Sequence, residues 1–248
     1  MAMACGADLW HMSNVAGPDV NYKAPENQNV FGNYMQDKKG FGSKNTIFVG
    51  SDGTRFTNEA NRPKHGNLYY HGSYRLEQVP NPCFVVFDDE AMQNNRIYPT
   101  WSEGNVEELE AGWITKADTL EELAGLMGID AEGLIAQVER YNGYCEAGDD
   151  EDFGRDPKTL FPVSTPPFFA IKSVEEKPMV GTCTLNGLVI DENQAVLDKD
   201  YDPIEGLYAT GNNSGGRFAV QYTTPMPGLT LGMAMTLGRV LGKELAAK

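Results

Sequence analysis

Five consecutive apolar residues, Cys83-Phe-Val-Val-Phe87, constrain the fold of this chain more than any other feature. Successive side chains of a strand point to opposite faces, so a run that is apolar at every position needs cover on both. A sheet carrying it must sit between other layers. The 248 residues, 41% of them hydrophobic, supply enough material for that, as one large domain or two small ones. Asn45 to Phe56 reads as a hairpin, with Asp52-Gly53 as the positive-φ pair of a type I′ turn. Leu185–Ile190 and Gln194–Leu197 read as a second hairpin, and Gly206 to Gly211 as a short strand ending in glycine.

Two helices announce their starts. Thr119 and Glu122 form a capping box ahead of Leu120, Leu123, Ala124 and Met127. Asp130 caps the next, which carries Leu134, Ile135, Val138, Tyr141 and Cys145 and stops at Gly148. A last helix runs from about Gly228 to the end, with Leu231, Met235, Gly238 and Gly242 on one stripe. Met1 to Trp10 reads as the end of a helix closed by Gly6, with no N-cap before it, as expected of a segment cut from a longer chain. Residues 14 to 44 read as loop, residues 94 to 114 have no clear period, and the acidic run Asp149 to Asp152 reads as a solvated loop.

Charge excludes several function classes. With 20 Lys+Arg against 35 Asp+Glu the formal charge is −15, which repels phosphate backbones and anionic lipid, so no nucleic-acid partner is expected. No apolar run reaches the length of a membrane span. Three histidines (His11, His65, His71) and four scattered cysteines (Cys5, Cys83, Cys145, Cys183) give no metal spacing, and the cysteines read as buried thiols. The residues address no compartment; a targeting signal is expected ahead of the segment present.

The chemistry points to Gly206-Leu-Tyr-Ala-Thr-Gly211-Asn-Asn-Ser-Gly-Gly216-Arg-Phe-Ala-Val-Gln-Tyr222-Thr-Thr-Pro-Met-Pro-Gly228-Leu-Thr-Leu-Gly232. A strand ends in glycine, a glycine-rich loop follows, and a further glycine opens a helix whose free N–H groups favour a negatively polarised ligand atom. Plain tight turns use the same pattern. Residues 206 to 245 resemble the C-terminal flavin-binding segment of the fumarate reductase/succinate dehydrogenase flavoprotein family, which includes urocanate reductases and 3-ketosteroid dehydrogenases. Ser51-Asp-Gly-Thr-Arg55-Phe-Thr-Asn-Glu59 resembles its hairpin and R-F-x-N-E motif. Residues 119 to 152 resemble the helical part of its substrate-capping domain. Met3 to Trp10 resembles the helix end after the family's G-D-G turn.

The resemblance implies an α+β fold in which 40–185 is a substrate-capping domain and 1–39 and 186–248 are parts of an FAD-binding domain. The family's N-terminal G-x-G-x-x-G unit has no counterpart here, so the missing N-terminal FAD-binding segment is an implied partner. By resemblance FAD is the cofactor. Gly211, Asn212 and Asn213 lie by its ribitol, with Asn212 standing where relatives often have Glu. Gly228, Leu229, Thr230 and Leu231 present N–H groups to the flavin N1/C2=O edge.

The resemblance further implies that Glu59 and Arg62 form a proton relay; a surface pair is the alternative. Tyr222 polarises a carbonyl or merely packs. Arg217 clamps an anionic group or merely pairs within its loop. Met92 stands about where fumarate reductases carry their proton-donating Arg, with Arg96 one turn on, and Thr182 or Cys183 replaces a carboxylate-binding His. The implied reaction is therefore reduction of a carbonyl-conjugated C=C on a small-molecule unsaturated carbonyl substrate other than fumarate, fed by an external electron donor. Desaturation next to a ketone and a non-catalytic binding module are the rivals.

Overall fold

The computed structural model describes residues 1–12, 15–16, 19–21, 31–32, 44–60, 67–70, 73–94, 96–97, 101–173, 179–180, 183–218 and 228–247. Mixed helices and antiparallel sheets make it an α+β chain, which divides into two compact units, residues 19–63 with 77–180 and residues 1–18 with 64–76 and 181–248.

The first unit is built on the apolar run. Strands β1 (Thr46–Gly50), β2 (Cys83–Phe87), β3 (Thr115–Ala117) and β4 (Phe168–Lys172) form an antiparallel sheet in the order β1-β2-β4-β3. Every residue of β2 is buried. Its side chains alternate as a strand dictates: Cys83, Val85 and Phe87 join Phe48, Met92, Ile97 and Trp101 on one face. Phe84 and Val86 join Ile47, Leu123, Leu134, Val138 and Tyr141 on the other. Helix α1 (Asp89–Asn94), Ile97 and the 101–114 segment with α2 (Val106–Glu110) cover the first face. Helices α3 (Leu120–Met127) and α4 (Ala131–Ala147) cover the second. The unperiodic 94–114 stretch thus contains a short helix that no amphipathic pattern signalled.

Both helix starts form as read. Thr119 Oγ1 accepts from the Glu122 N–H, while Glu122 reaches back to the N–H of Asp118, one residue earlier than in the usual box. Asp130 accepts from the Gly133 N–H, and Gly148 closes α4 with φ +69°. Ile135, counted on the apolar face, is 39% exposed. The first hairpin departs from type I′: only Gly53 has positive φ, and Gly53 N–H bonds to Gly50 C=O, a type I turn followed by a left-handed glycine. This turn lies hard against α4. A Cβ on Gly133 would meet Asp52 O at 2.1 Å, and one on Gly53 would meet Leu134 N at 2.2 Å.

In the second unit the strands pair two by two. Leu9–Trp10 pairs with Gly187–Leu188, and β5 (Ala195–Leu197) with β6 (Pro203–Tyr208). The 185–197 hairpin is present through the Ile190–Val196 bridge. Ala2–Cys5 is a single 3-10 turn closed by Gly6 at φ +91°. Helix α5 (Leu229–Ala246) follows Gly228. Short strands at Val15–Ala16, Asp19–Asn21 and Phe31–Gly32 occur where the sequence reads as loop. Cys5 is exposed and Cys83 buried, so the buried-thiol reading fails for Cys5. No helix among the described residues is long and apolar enough to cross a membrane, and no acidic, His or Cys cluster there could hold a metal.

Candidate functional site

In the first unit strand β1, the hairpin exit and the segment after α4 converge on a buried cluster of charges. Arg55 N–H bonds to Gln137 on α4, and its guanidinium turns inward. Nε and Nη2 donate to the two oxygens of Glu59 at 2.9 and 2.8 Å; Nη1 and Nη2 donate to Asp150 at 3.1 and 3.0 Å. Arg155 Nη1 donates to Glu59 Oε2 and to the Thr46 carbonyl, both at 3.1 Å. Phe48 N–H completes four hydrogen bonds onto the Glu59 carboxylate. All four charged side chains are fully buried. Tyr141 and Phe153 stack against the Arg55 guanidinium at 4.7 and 5.1 Å.

Two cations and two anions balance, and that balance makes burial tolerable. Burial pulls the Arg55 pKa down, but the bonds and charges of Glu59 and Asp150 outweigh it and raise the pKa above its ordinary value. Burial likewise pushes Asp150 up, and Arg55 more than reverses it, holding Asp150 below the usual carboxylate range. Burial drives the Tyr141 hydroxyl well above its usual range. Asp150 is thus no part of a solvated acidic loop: it is 2% exposed.

Glu59 belongs to this cluster and not to a surface pair. Arg62, its expected relay partner, lies outside the described residues, as do Tyr222, His65, His71 and Thr182. Met92 is buried in the core, and Arg96 is exposed. Sequence reasoning named Glu59 from the R-F-x-N-E motif but missed Arg55 of the same motif, together with Asp150 and Arg155. A strand-exit Arg four residues before Glu was the available signal.

In the second unit the glycine-rich loop and helix start are built as expected. Gly211 opens a 3-10 turn, Gly211–Asn213, with φ +65°, and a Cβ there would press on Ala234 of α5 at 3.3 Å. Ser214 Oγ closes the turn on Gly211 C=O. Arg217 Nε donates to Ser214 C=O at 2.9 Å and Nη1 to Asn212 Oδ1 at 3.1 Å, so two of the predicted residues meet directly. Close backbone packing fixes the loop: a Cβ on Gly187 would meet Gly215 N at 2.6 Å, and one on Gly215 would meet Trp10 Cβ at 2.3 Å. Gly228 (φ +78°) gives α5 no side-chain cap, so the N–H groups of Leu229 and Leu231 have no acceptor within the helix. The Leu231 side chain is 66% exposed.

Beside this loop is a cavity of about 580 Å³. It is lined by polar Asn186, Asn212, Asn213, Tyr208 and Thr210, by apolar Ala2, Leu9, Met12, Leu188 and Ala209, and by Gly187. Thr210 Oγ1 is buried there without a hydrogen-bond partner. Amide donors and acceptors, an orphaned hydroxyl and an uncapped helix start fit a ligand rich in hydroxyl and carbonyl oxygens, as a flavin nucleotide is.

The sequence matches the FAD binding domain family over residues 32–230. It is similar to vinyl phenol reductase of Lactiplantibacillus plantarum, 38% identical over 134 residues that cover 54% of this chain and 26% of that protein. It is also similar to 3-oxosteroid 1-dehydrogenase of Mycolicibacterium smegmatis, 34% identical over 235 residues, or 83% of this chain and 39% of that one. Among solved structures it resembles 3-ketosteroid delta1-dehydrogenase from Sterolibacterium denitrificans in complex with 1,4-androstadiene-3,17-dione. That likeness has a TM-score of 0.66 and 28% identity, and covers 99% of this chain and 45% of that one. The chain spans about a quarter to two fifths of the length of these curated relatives.

Proposed function

The chain belongs to the FAD binding domain family of flavoprotein oxidoreductases, and from that premise we propose that it forms part of an enzyme reducing a carbonyl-conjugated C=C bond. The observation that carries the reading is the cavity walled by Asn186, Asn212 and Asn213 beside the left-handed Gly211 turn, which packs on Ala234 of α5. Bound FAD supplies hydride transfer to and from carbon.

The residues of this chain hold and polarise. Backbone N–H groups at Leu229, Thr230 and Leu231 would hold an electron-rich part of the cofactor, where the positive end of α5 would favour added negative charge. Gly211, Asn212 and Asn213 would hold its hydroxyl groups. Arg217, held in place by Ser214 and Asn212, supplies positive charge for an anionic substituent. Tyr222 donates to the substrate carbonyl, and Arg62 delivers the proton to the second alkene carbon. Glu59, with its carboxylate already accepting four hydrogen bonds, serves as an anchor for Arg55 and Arg155. The electron donor is external, and the substrate is larger and less charged than fumarate.

A second reading, desaturation next to a ketone, is favoured by the long match to 3-oxosteroid 1-dehydrogenase. Both are tested by mixing the chain with excess FAD, desalting and reading visible absorption. A colourless folded protein refutes cofactor binding by these residues alone. If flavin is retained, anaerobic dithionite-reduced protein is mixed with a vinylphenol or an enone, and oxidised protein with a 3-oxosteroid. Recovery of the oxidised band in the first mixture supports reduction; bleaching in the second supports desaturation.

A further inference from the structure

Consecutive side chains of a regular strand cannot stack on each other, because neighbours point to opposite faces. Trp10 ends the strand Leu9–Trp10, and the next residue departs from that rule. The His11 imidazole lies flat on the Trp10 indole, with 4.2 Å between centroids and 7° between planes. The backbone allows this by turning left-handed at His11, with φ +42°, a conformation that is costly for a residue carrying a Cβ. The turn has a second effect. Residues three apart in a strand fall on opposite faces, yet Leu9 and Met12 both line the second unit's cavity. The Met12 carbonyl accepts from Asn186 Nδ2 at 3.0 Å. That bond fixes the amide of Asn186, another lining residue, and leaves Oδ1 as the end that can accept from a ligand hydroxyl. Trp10 is the anchored half of the stack. It pairs with Gly187, and the glycine-rich loop packs so closely on it that a Cβ on Gly215 would meet Trp10 Cβ at 2.3 Å.

We propose that His11 is a positioning residue of this cavity: stacked on Trp10, it holds the left-handed turn that brings Met12 into the wall and sets the Asn186 amide for a ligand hydroxyl. His11 is exposed and is not itself a lining residue, so it acts through Met12 and Asn186 and not as an acid or base. A strained backbone persists beside a site only where its surroundings hold it. Here the ring contact on one side and the Asn186 bond on the other supply that hold. Without the ring the chain relaxes toward an extended strand, Met12 turns toward the face of Trp10, and the Asn186 amide loses its acceptor. The identity of the ligand as FAD rests on the function proposed above; the construction of the wall does not.

The test pairs His11→Asn, which tolerates the left-handed backbone but has no ring, with His11→Phe, which keeps a ring to stack. The position is exposed, so both variants are expected to keep the wild-type melting temperature. Two readouts are taken on the purified chain: NMR signals and hydrogen exchange of the Asn186 side-chain amide without ligand, and the FAD dissociation constant from quenching of flavin fluorescence. His11→Asn is expected to shift the Asn186 signals, speed their exchange about fivefold or more and weaken FAD binding about tenfold, the loss of one oriented hydrogen bond. His11→Phe is expected to bring both back to within about twofold of wild type. An Asn186 amide that does not respond to His11→Asn overturns the proposal. Equal loss in both variants also overturns it, because the ring is then not the cause. A responding amide in a folded chain that binds no FAD leaves the positioning role standing and refutes the FAD reading. FAD binding that neither variant changes does the reverse.

Discussion

Replacing Glu59 by Gln keeps the side-chain shape and removes one charge, which makes it the sharpest probe of the buried cluster. The wild-type cluster is neutral, with Arg55 and Arg155 against Glu59 and Asp150. The variant leaves two buried guanidiniums facing one carboxylate. Glu59 Oε1 accepts from Phe48 N–H and Arg55 Nε, and Oε2 from Arg55 Nη2 and Arg155 Nη1. An amide can satisfy one of these pairs and must point its own N–H donors at the other. Removing one partner from a buried ion pair costs about 3–5 kcal/mol. At about 2–4 °C per kcal/mol for a protein of this size, the melting temperature should fall by about 6–20 °C. Because Arg155→Gln removes the excess charge again, the double variant should be more stable than the two single losses predict, by at least about 1 kcal/mol. The assay is thermal and urea unfolding followed by circular dichroism. A Glu59→Gln protein within about 1 kcal/mol of wild type, with no coupling to Arg155→Gln, would refute the anchoring role. Unchanged stability with lost turnover in the assembled enzyme would restore Glu59 to a proton relay.

Other consequences can be checked with the same methods. Gly133→Ala should be among the most damaging single-methyl additions, costing several kcal/mol or preventing soluble expression, because its Cβ would sit 2.1 Å from the Asp52 carbonyl; a wild-type melt would show that the turn and α4 can part cheaply. Asp130→Ala, which removes the cap of α4, should cost about 1 kcal/mol by urea unfolding, and a loss under 0.3 kcal/mol counts against it. Asp150, held below the usual carboxylate range, contributes stability above its unfolded pKa and loses it as pH falls through its folded value. The stability gap between wild type and Asp150→Asn should therefore narrow below about pH 4; a constant gap across the acid range would show that the charge is not the source. Asn212→Ala should free one side of Arg217 and lower flavin retention without changing the melting temperature of the first unit; unchanged retention would remove Asn212 from the cofactor contacts.

What could be read from the residues, and what could not, follows from the range of the interactions involved. The apolar run Cys83–Phe87, the caps at Thr119 and Asp130 and the stop at Gly148 are local features: each is decided by a residue and its neighbours within a turn, and each forms as read. The glycine pattern at 211 and 228 is equally local, since positive φ there is available to Gly at little cost. The charge cluster is different in kind. Asp150 sits in a run of four acidic residues that favours solvent on composition; beside the local N–H donors of Asp152 and Arg155, the charge of Arg55, 95 residues earlier, draws it inside. Arg155 reaches the Thr46 carbonyl across 109 residues. Apart from Arg55 and Glu59, four residues apart, no short window of sequence contains both partners of these long-range contacts, so hydropathy assigns Asp150 and Arg155 to the surface. The type I′ turn failed for a related reason. Asp-Gly permits two positive φ values, but Asp130 N–H bonding to Ser51 C=O and the Gly133 backbone pressed against Asp52 leave room for only one of the available turns. Long-range pairing overrides local preference where a segment is packed against a distant helix, and the residues that sequence reasoning missed in the first unit lie at that contact.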